Sequence, residues 1–248
     1  HRMISRALSP NNKSVTSKYL DHVRNNFYCS INILPKVLDS EVGNPIMTEG
    51  YSQGTAQHCH YLNIMLEHLG LRITDFNHIT DVGGGYGNFY RMVKNLGYQG
   101  TFDIPDFPIM HDIQRYYIEE LKLNLPNFIS IKDLNPKSRS ILFGFHSINE
   151  MPMSDRKILE GQYSMYDNIM ILYNDIFDRI NNVEYFDKLK NRLSDIFDVK
   201  IIKDNLKPNG RFLIASKRKW ILETRDPIDL LTYKRFDVVI KYMYASNL

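Results

Sequence analysis

Asp81-Val82-Gly83-Gly84-Gly85-Tyr86-Gly87 is the stretch that decides how this chain is read. A short strand, Ile79 to Val82, runs into it, and a helix from Asn88 to Leu96, closed by Gly97, runs out of it. A glycine-rich turn from strand to helix belongs to open α/β sheets. Their ligands bind at the carboxyl ends of the strands, near the point where strand order reverses. Gly83 supplies the tight turn, and Gly85 lets backbone approach a ligand because no Cβ stands in the way. Asn88 starts a helix whose first amide groups face that ligand.

Downstream of the turn, strands alternate with helices. Thr101–Ile104, Phe128–Ile131, Ile141–Phe145 and Ile169–Tyr173 read as apolar strands. Helices are expected from about Ile109 to Lys122, Asp155 to Met165 and Val183 to Ile196. Val199–Lys203 and Arg211–Ala215 form a last pair of strands about the turn Lys207-Pro208-Asn209-Gly210. This order predicts a mostly parallel, twisted α/β sheet with helices on both faces and a terminal antiparallel hairpin.

Upstream, the pattern is helical. Tyr19, Leu20, Val23 and Phe27 keep helical spacing within Val15–Cys29, and Leu34–Gln53 is mostly loop. Thr55 is expected to cap a helix running to Leu69 and closed by Gly70, with Leu62, Leu66 and Leu69 as its apolar stripe. The expected organisation is a helical lid over residues 1–77, a core over 78–218, and an extension over 219–248 that packs on the core. Within that extension Phe236–Tyr242 is strand-like.

At 248 residues the chain can bury one good core with a small lid. A net charge of +3 is weak for a nucleic-acid enzyme, and the run Lys217-Arg218-Lys219 reads as a solvated face. Cys29 and Cys59 make neither a disulfide scaffold nor a zinc site, which suits a reducing compartment. No apolar run approaches the roughly 20 residues that span a bilayer, and the start is unlike a signal peptide. The expectation is a cytoplasmic protein without nucleic-acid or membrane partners. A start at His1 fits a tag remnant or a domain of a larger polypeptide.

Two details separate the cofactors that such a turn serves. The dinucleotide fingerprint is G-x-G-x-x-G, and its third glycine position holds Asn88 here. The third glycine falls one residue early, giving G-x-G-x-G, and Asp81 precedes the first glycine as in S-adenosylmethionine enzymes, where that acid approaches the methionine part. About twenty residues on, Asp103 is expected to accept hydrogen bonds from both ribose hydroxyls. The expected cofactor is S-adenosyl-L-methionine, which leaves as S-adenosyl-L-homocysteine.

Three further stretches resemble the sugar O-methyltransferase family within class I methyltransferases. They are Asp103-Ile104-Pro105 followed by Gln114-Arg115-Tyr116-Tyr117, then Ser147-Ile148-Asn149-Glu150-Met151-Pro152, then Asn182-Val183-Glu184-Tyr185-Phe186. The likeness covers about residues 79 to 190 and implies methyl transfer to a hydroxyl of a sugar or glycan. Asp103-Ile104-Pro105 also resembles the Asp-Leu-Pro of plant O-methyltransferases, which keeps a phenolic or natural-product acceptor as the alternative.

A sugar hydroxyl is a poor nucleophile, so a general base should take its proton during attack. The loop after Ile141–Phe145 offers His146 first and Glu150 next, and Asp175 is placed to orient the base or bind the sugar. The expected cofactor set is Asp81, Gly83, Gly84, Gly85, Tyr86, Gly87, Asp103, Ile104, Asp133, His146 and Ser147, with Asp133 near the adenine amino group. Tyr51, His58, Asn149 and Asp178 are the expected substrate contacts, and Gln53 is a candidate for closing over the cofactor. No metal site is expected. His58 and His60 lie two apart on a helix and point to different sides, while Glu150 with Asp175 is the acid pair a divalent ion would need. An amino-group target would call for Asn/Asp-Pro-Pro-Tyr where this chain has His146-Ser147-Ile148-Asn149, and a cap ribose enzyme for a Lys-Asp-Lys-Glu set. An NAD-dependent oxidoreductase and a non-catalytic cofactor-binding scaffold remain as the other classes.

Overall fold

The computed structural model describes residues 13–218, and the expected extension over 219–248, with its strand-like Phe236–Tyr242, lies outside them. Seven strands form one sheet: β1 (His78–Asp81), β2 (Thr101–Pro105), β3 (Asn127–Ile129), β4 (Ser140–Phe145), β5 (Asn168–Asn174), β6 (Phe197–Lys203) and β7 (Gly210–Lys217). Their spatial order is β3-β2-β1-β4-β5-β7-β6. The pairs from β3 through to β5 are parallel, and β7 runs antiparallel to both β5 and β6. This is the Rossmann-like fold of class I methyltransferases, with the terminal antiparallel hairpin in place.

The middle strands are legible because parallel strands are covered on both faces and read as unbroken apolar runs. Ile141, Leu142 and Phe143 of β4 and Ile169 to Tyr173 of β5 are fully buried. Each such side chain contributes about 1.5–3 kcal/mol.

Among the described residues six longer helices accompany the sheet, α1 (Lys13–Arg24), α2 (Gln53–Leu69), α3 (Asn88–Asn95), α4 (Pro108–Glu120), α5 (Met153–Glu160) and α6 (Asn182–Leu193), and a single helical turn, Ser147–Glu150, follows β4. The N-terminal helices share a hydrophobic cluster with the sheet, in which Leu20, Val23, Leu62 and Met65 join Ile79, Phe143 and Phe212.

Several boundaries differ from the sequence reading. The first helix stops at Arg24, and Cys29–Ile33 is a separate π-helical turn. The loop ahead of α2 contains a small ladder pairing Met47–Thr48 with Tyr51–Ser52. Helix α2 is capped by Ser52 rather than Thr55: the Ser52 hydroxyl accepts from the Thr55 amide at 3.2 Å, while the Thr55 hydroxyl donates to Asp39 at 2.9 Å. Gly70 ends it in the left-handed region at φ 65°, its amide donating to the Leu66 carbonyl at 2.9 Å. The helix expected over Asp155–Met165 divides at Gly161 into α5 and a 3-10 turn, Tyr163–Met165.

Candidate active site

Strand β1 has β2 on one side and β4 on the other, so strand order reverses beside it and a crevice opens above its carboxyl end. The glycine turn is tied to both neighbours. The Val82 amide donates to the Phe143 carbonyl and the Gly83 amide to the Pro105 carbonyl, each at 2.9 Å. Gly83 has φ 69°, and a Cβ there would lie 2.5 Å from Ser147 Cβ, so only glycine fits. Gly85 has φ 58° with nothing within 4 Å of the place a Cβ would take, which leaves bare backbone facing the crevice. Gly84 packs over Ile104 and Asp81.

The crevice is a cavity of about 1150 Å³ lined by Gly83, Gly85, Asp106, Asp133, His146, Ser147 and Glu150 among others. Ligand cavities typically hold about 300–1000 Å³, so this one has room for a cofactor and an acceptor together. Ser147 is held at its floor by donating to the Val82 carbonyl.

On the β2 side Asp103 and Asp106 are placed differently. Asp103 does not reach the cavity lining: its carboxylate accepts from His78 Nε2 and from Asn127 Nδ2, each at 2.8 Å. The strand runs one residue further than expected, through Pro105, so the acid at the crevice is Asp106. Buried Gln114 reaches over from α4 and donates through Nε2 to both Asp106 Oδ2 (2.8 Å) and the Gly85 carbonyl (2.9 Å), coupling the acid to the glycine turn. Beneath them Asp81 is buried, and burial, reinforced by the Asp106 carboxylate, pushes its pKa up to about 7. Burial raises Asp106 as well. Asp106 lines the cavity and Asp81 does not, and a positive charge nearby would relieve both carboxyl groups.

Tyr86 and Gly87 turn away from the cavity. The Tyr86 ring packs edge-on to Tyr117 at 4.9 Å, and Gly87 lies over Ile118 as the cap of α3.

At the other end stand the carboxyl ends of β4 and β5. His146 follows β4 in a left-handed conformation (φ 67°), its amide donating to the Leu172 carbonyl at 2.8 Å. Its Nε2 meets Lys207 Nζ at 3.0 Å. Lys207 lines the cavity with Asn174, Gln53 and Gln57. Neither Lys207 nor Gln57 stood out in the sequence, where Lys207 appeared only as a turn residue. The antiparallel pairing of Gly210 with Asn174 is what carries that turn to the end of β5.

Several expected contacts lie away from the cavity lining. Asp175 is paired with Arg211 at 2.6 Å, and Asp178 (φ 45°) sits in the turn between Ile176–Phe177 and Ile180–Asn181. Asn149 is fully buried behind Glu150, its carbonyl accepting from Arg156 Nη2. The Tyr51 hydroxyl donates to the Leu34 carbonyl at 3.0 Å. His58 packs against Phe89 and Phe145, where burial lowers its pKa to about 3. His60 points elsewhere, to Asp204 at 3.1 Å. Among the described residues no group of three His, Cys, Asp or Glu is placed to hold a metal ion, and none of the helices is long and apolar enough to cross a membrane.

No protein-family model matches the chain, and no curated protein sequence does. Solved structures resemble it in fold. The PH0226 protein from Pyrococcus horikoshii OT3 superposes with a TM-score of 0.50 at 12% identity, covering 78% of this chain and 100% of its own. A protein described as an S-adenosyl-L-methionine-dependent methyltransferase from Methanococcus maripaludis gives 0.49 at 16% identity, over 65% of this chain and 86% of its own. An rRNA methylase from Streptococcus thermophilus gives 0.45 at 11% identity, over 58% and 89%.

Proposed function

We propose that the protein transfers the methyl group of S-adenosyl-L-methionine to a hydroxyl of a sugar or glycan. The observation that carries the reading is the glycine turn at the switch point. Its bare Gly85 backbone opens onto a cavity whose β2 side presents Asp106 above buried Asp81. The antiparallel β7 between β5 and β6 favours this cofactor over NAD, whose fold ends in parallel strands.

In this assignment Asp106 takes the ribose hydroxyls and Asp81 the methionine ammonium group. Gly83 and Gly85 admit the chain between them, and Asp133 stands near the adenine amino group. When bound, the cofactor supplies an electrophilic methyl group. The protein's part is placement of the acceptor oxygen about 3 Å from that carbon and removal of its proton, which His146 performs as base. Glu150, on the same wall of the cavity, holds further sugar hydroxyls.

Thermal melting with S-adenosylhomocysteine and with NAD tests the cofactor. A hundredfold excess over Kd stabilises by about 2.7 kcal/mol. At this size that raises Tm by about 5–10 °C for the right ligand. A shift with NAD and none with S-adenosylhomocysteine refutes the reading. Methyl uptake by a panel of free sugars tests the acceptor, and His146→Ala should lower turnover about 10²- to 10⁴-fold.

A further inference from the structure

We infer that Arg156 and Asn182 are positioning residues for methyl transfer: they clasp the segments after β4 and β5 into one wall and set that wall against the acceptor. The role rests on the methyl-transfer reading above and adds to it the device that holds the acceptor side of the same cavity.

Two of the stretches that carry the family resemblance are Ser147–Pro152 and Asn182–Phe186. Ser147, Glu150 and Met151 of the first line the cavity, and no residue of the second does. The structure joins the two through Arg156 of α5, which belongs to neither. Arg156 Nε donates to the Met151 carbonyl at 3.1 Å, Nη2 to the Asn149 carbonyl, and Nη1 to Asn182 Oδ1 at 2.9 Å. Asn182 carries the link onward. Its Nδ2 donates to the Asn174 carbonyl at 3.0 Å, and its main-chain amide to the Asp175 carbonyl at 2.9 Å. Asn182 is itself fixed as the first residue of α6, since the preceding Asn181 caps that helix by accepting from the Glu184 amide at 3.2 Å. One guanidinium and one side-chain amide thus connect the carbonyls on either side of Glu150 with the last residue of β5.

Packing alone does not account for a cation at this place. Arg156 and Asn182 are both fully buried, and burial lowers the Arg156 pKa. The three acceptors of the guanidinium are all neutral, so the cost of taking its charge out of water is met by hydrogen bonds and by the Tyr185 ring, 4.8 Å away. An apolar side chain would fill the space at lower cost. What an arginine adds is a planar fork of donors that fixes several acceptors in one geometry.

That geometry bears on the reaction. The segment Ser147–Met151 is tied at its start to the glycine turn, where the Ser147 hydroxyl donates to the Val82 carbonyl, and at its end to Arg156. Asn174, on the far side of the clasp, lines the same cavity. The cofactor side is held separately, by the Val82 and Gly83 amides and by Gln114. The acceptor oxygen must stand about 3 Å from the methyl carbon, and a misplacement of about 1 Å can cost about 100-fold in rate. Loosening the clasp therefore moves the acceptor wall and leaves the cofactor contacts in place.

The test compares wild type with Asn182→Asp and Arg156→Lys. Asn182→Asp keeps an acceptor for Arg156 but sets a carboxylate oxygen against the Asn174 carbonyl, and an acid in the first turn of α6 suits the helix. Arg156→Lys keeps the charge, but a single ammonium does not reproduce the fork that reaches three acceptors. Calorimetry with S-adenosylhomocysteine reads the cofactor side, and steady-state methyl transfer to glucose, galactose and rhamnose reads the acceptor side. In both variants the S-adenosylhomocysteine Kd and the KM for S-adenosylmethionine should stay within about threefold, while kcat/KM for the methylated sugar falls about 10- to 100-fold. Unchanged sugar kinetics in folded Asn182→Asp overturn the inference. So does an equal loss on the cofactor and sugar sides, which is what general loosening of the core would give. If wild type binds S-adenosylhomocysteine but methylates none of these sugars, the inference falls together with the sugar reading. Absence of S-adenosylhomocysteine binding refutes the cofactor assignment itself.

Discussion

With Asp81 assigned to the methionine ammonium group as proposed, cofactor binding should depend on pH in a direction that can be stated in advance. Its ordinary carboxyl value of 3.8 rises to about 7 in the fold, first through burial and second through the neighbouring Asp106 carboxylate. Below about pH 4 both native and unfolded chains hold this proton, and the full stability is present. Between about pH 4 and 7 the unfolded chain releases the proton while the native chain keeps it, so stability falls. Three units correspond to at most about 4 kcal/mol. A cation beside Asp81 reverses the balance because it stabilises the ionised carboxylate. At pH 5, two units below the native value, about 1% of the empty protein has Asp81 ionised. S-Adenosylhomocysteine, which keeps the methionine ammonium group, should therefore bind about 100-fold more weakly at pH 5 than above pH 7. Log Kd should fall by about one per pH unit up to the midpoint and then level off. Calorimetry across pH 5 to 8 measures this, and Asp81→Asn should give a weaker but nearly flat profile. His111 lies close enough to Asp106 to lower it, so His111→Gln separates its contribution. A wild-type Kd constant within twofold across the range, or a sloping profile retained in Asp81→Asn, refutes the assignment of Asp81 to the cofactor's cation.

Four more outcomes follow from the packing around the site and in the core. Gly83→Ala forces a left-handed backbone and a clash with Ser147, a cost of about 2–5 kcal/mol that lowers Tm by about 5–15 °C. Gly85→Ala bears only the backbone cost of about 1–2 kcal/mol but places a methyl in the open space, so Tm falls by only about 2–8 °C while S-adenosylhomocysteine affinity drops at least about tenfold. Arg91→Met strands the buried carboxylate of Asp39, which it meets at 3.0 Å, and should destabilise by about 3–5 kcal/mol in urea melts. Adding Asp39→Asn should recover about 1–3 kcal/mol of that loss, and strict additivity of the two changes would refute the pairing. Burial pushes the Cys29 thiol up to about 12 and raises Cys59 too, so a disulfide-exchange reagent at pH 8 should label neither in the native protein and both after unfolding.

What the sequence disclosed, and what it hid, divides along the range of the interactions involved. The Gly83–Gly87 turn and the strands β4 and β5 are local facts: a turn needs particular residues in succession, and a doubly covered strand needs an unbroken apolar run. The acid on the second strand was harder. Asp103 has the right spacing from the turn, but Pro105 pairs with Ile129 of β3, and that pairing carries the strand one residue further and puts Asp106 at the edge. A strand end set by its neighbour's register is not written in the strand itself. Lys207 was hidden for the same reason, since 61 residues separate it from His146 and the ladder between β5 and β7 brings them together. Asp175 and Asn149 show the converse. Their positions after β5 and β4 suit a site, but Arg211 and Arg156 draw Asp175 and the Asn149 backbone into structural networks instead.

The N-terminal segment is bound to the helix that leaves the glycine turn by the same kind of long-range contact, and this fixes one wall of the cavity. Arg91, on the helix that leaves the turn, donates to the carbonyls of Val37 and Leu38, to Asp39 and to the Thr55 hydroxyl. Asp39 also holds the first turn of α2 through the Ser52 amide and the Thr55 hydroxyl. Gln53 and Gln57, both on the cavity wall, belong to that first stretch of α2. One buried cation thus ties the amide-bearing wall of the cavity to α3. The carboxylates that resist ionisation lie by β1 and β2, where a nearby positive charge would relieve them.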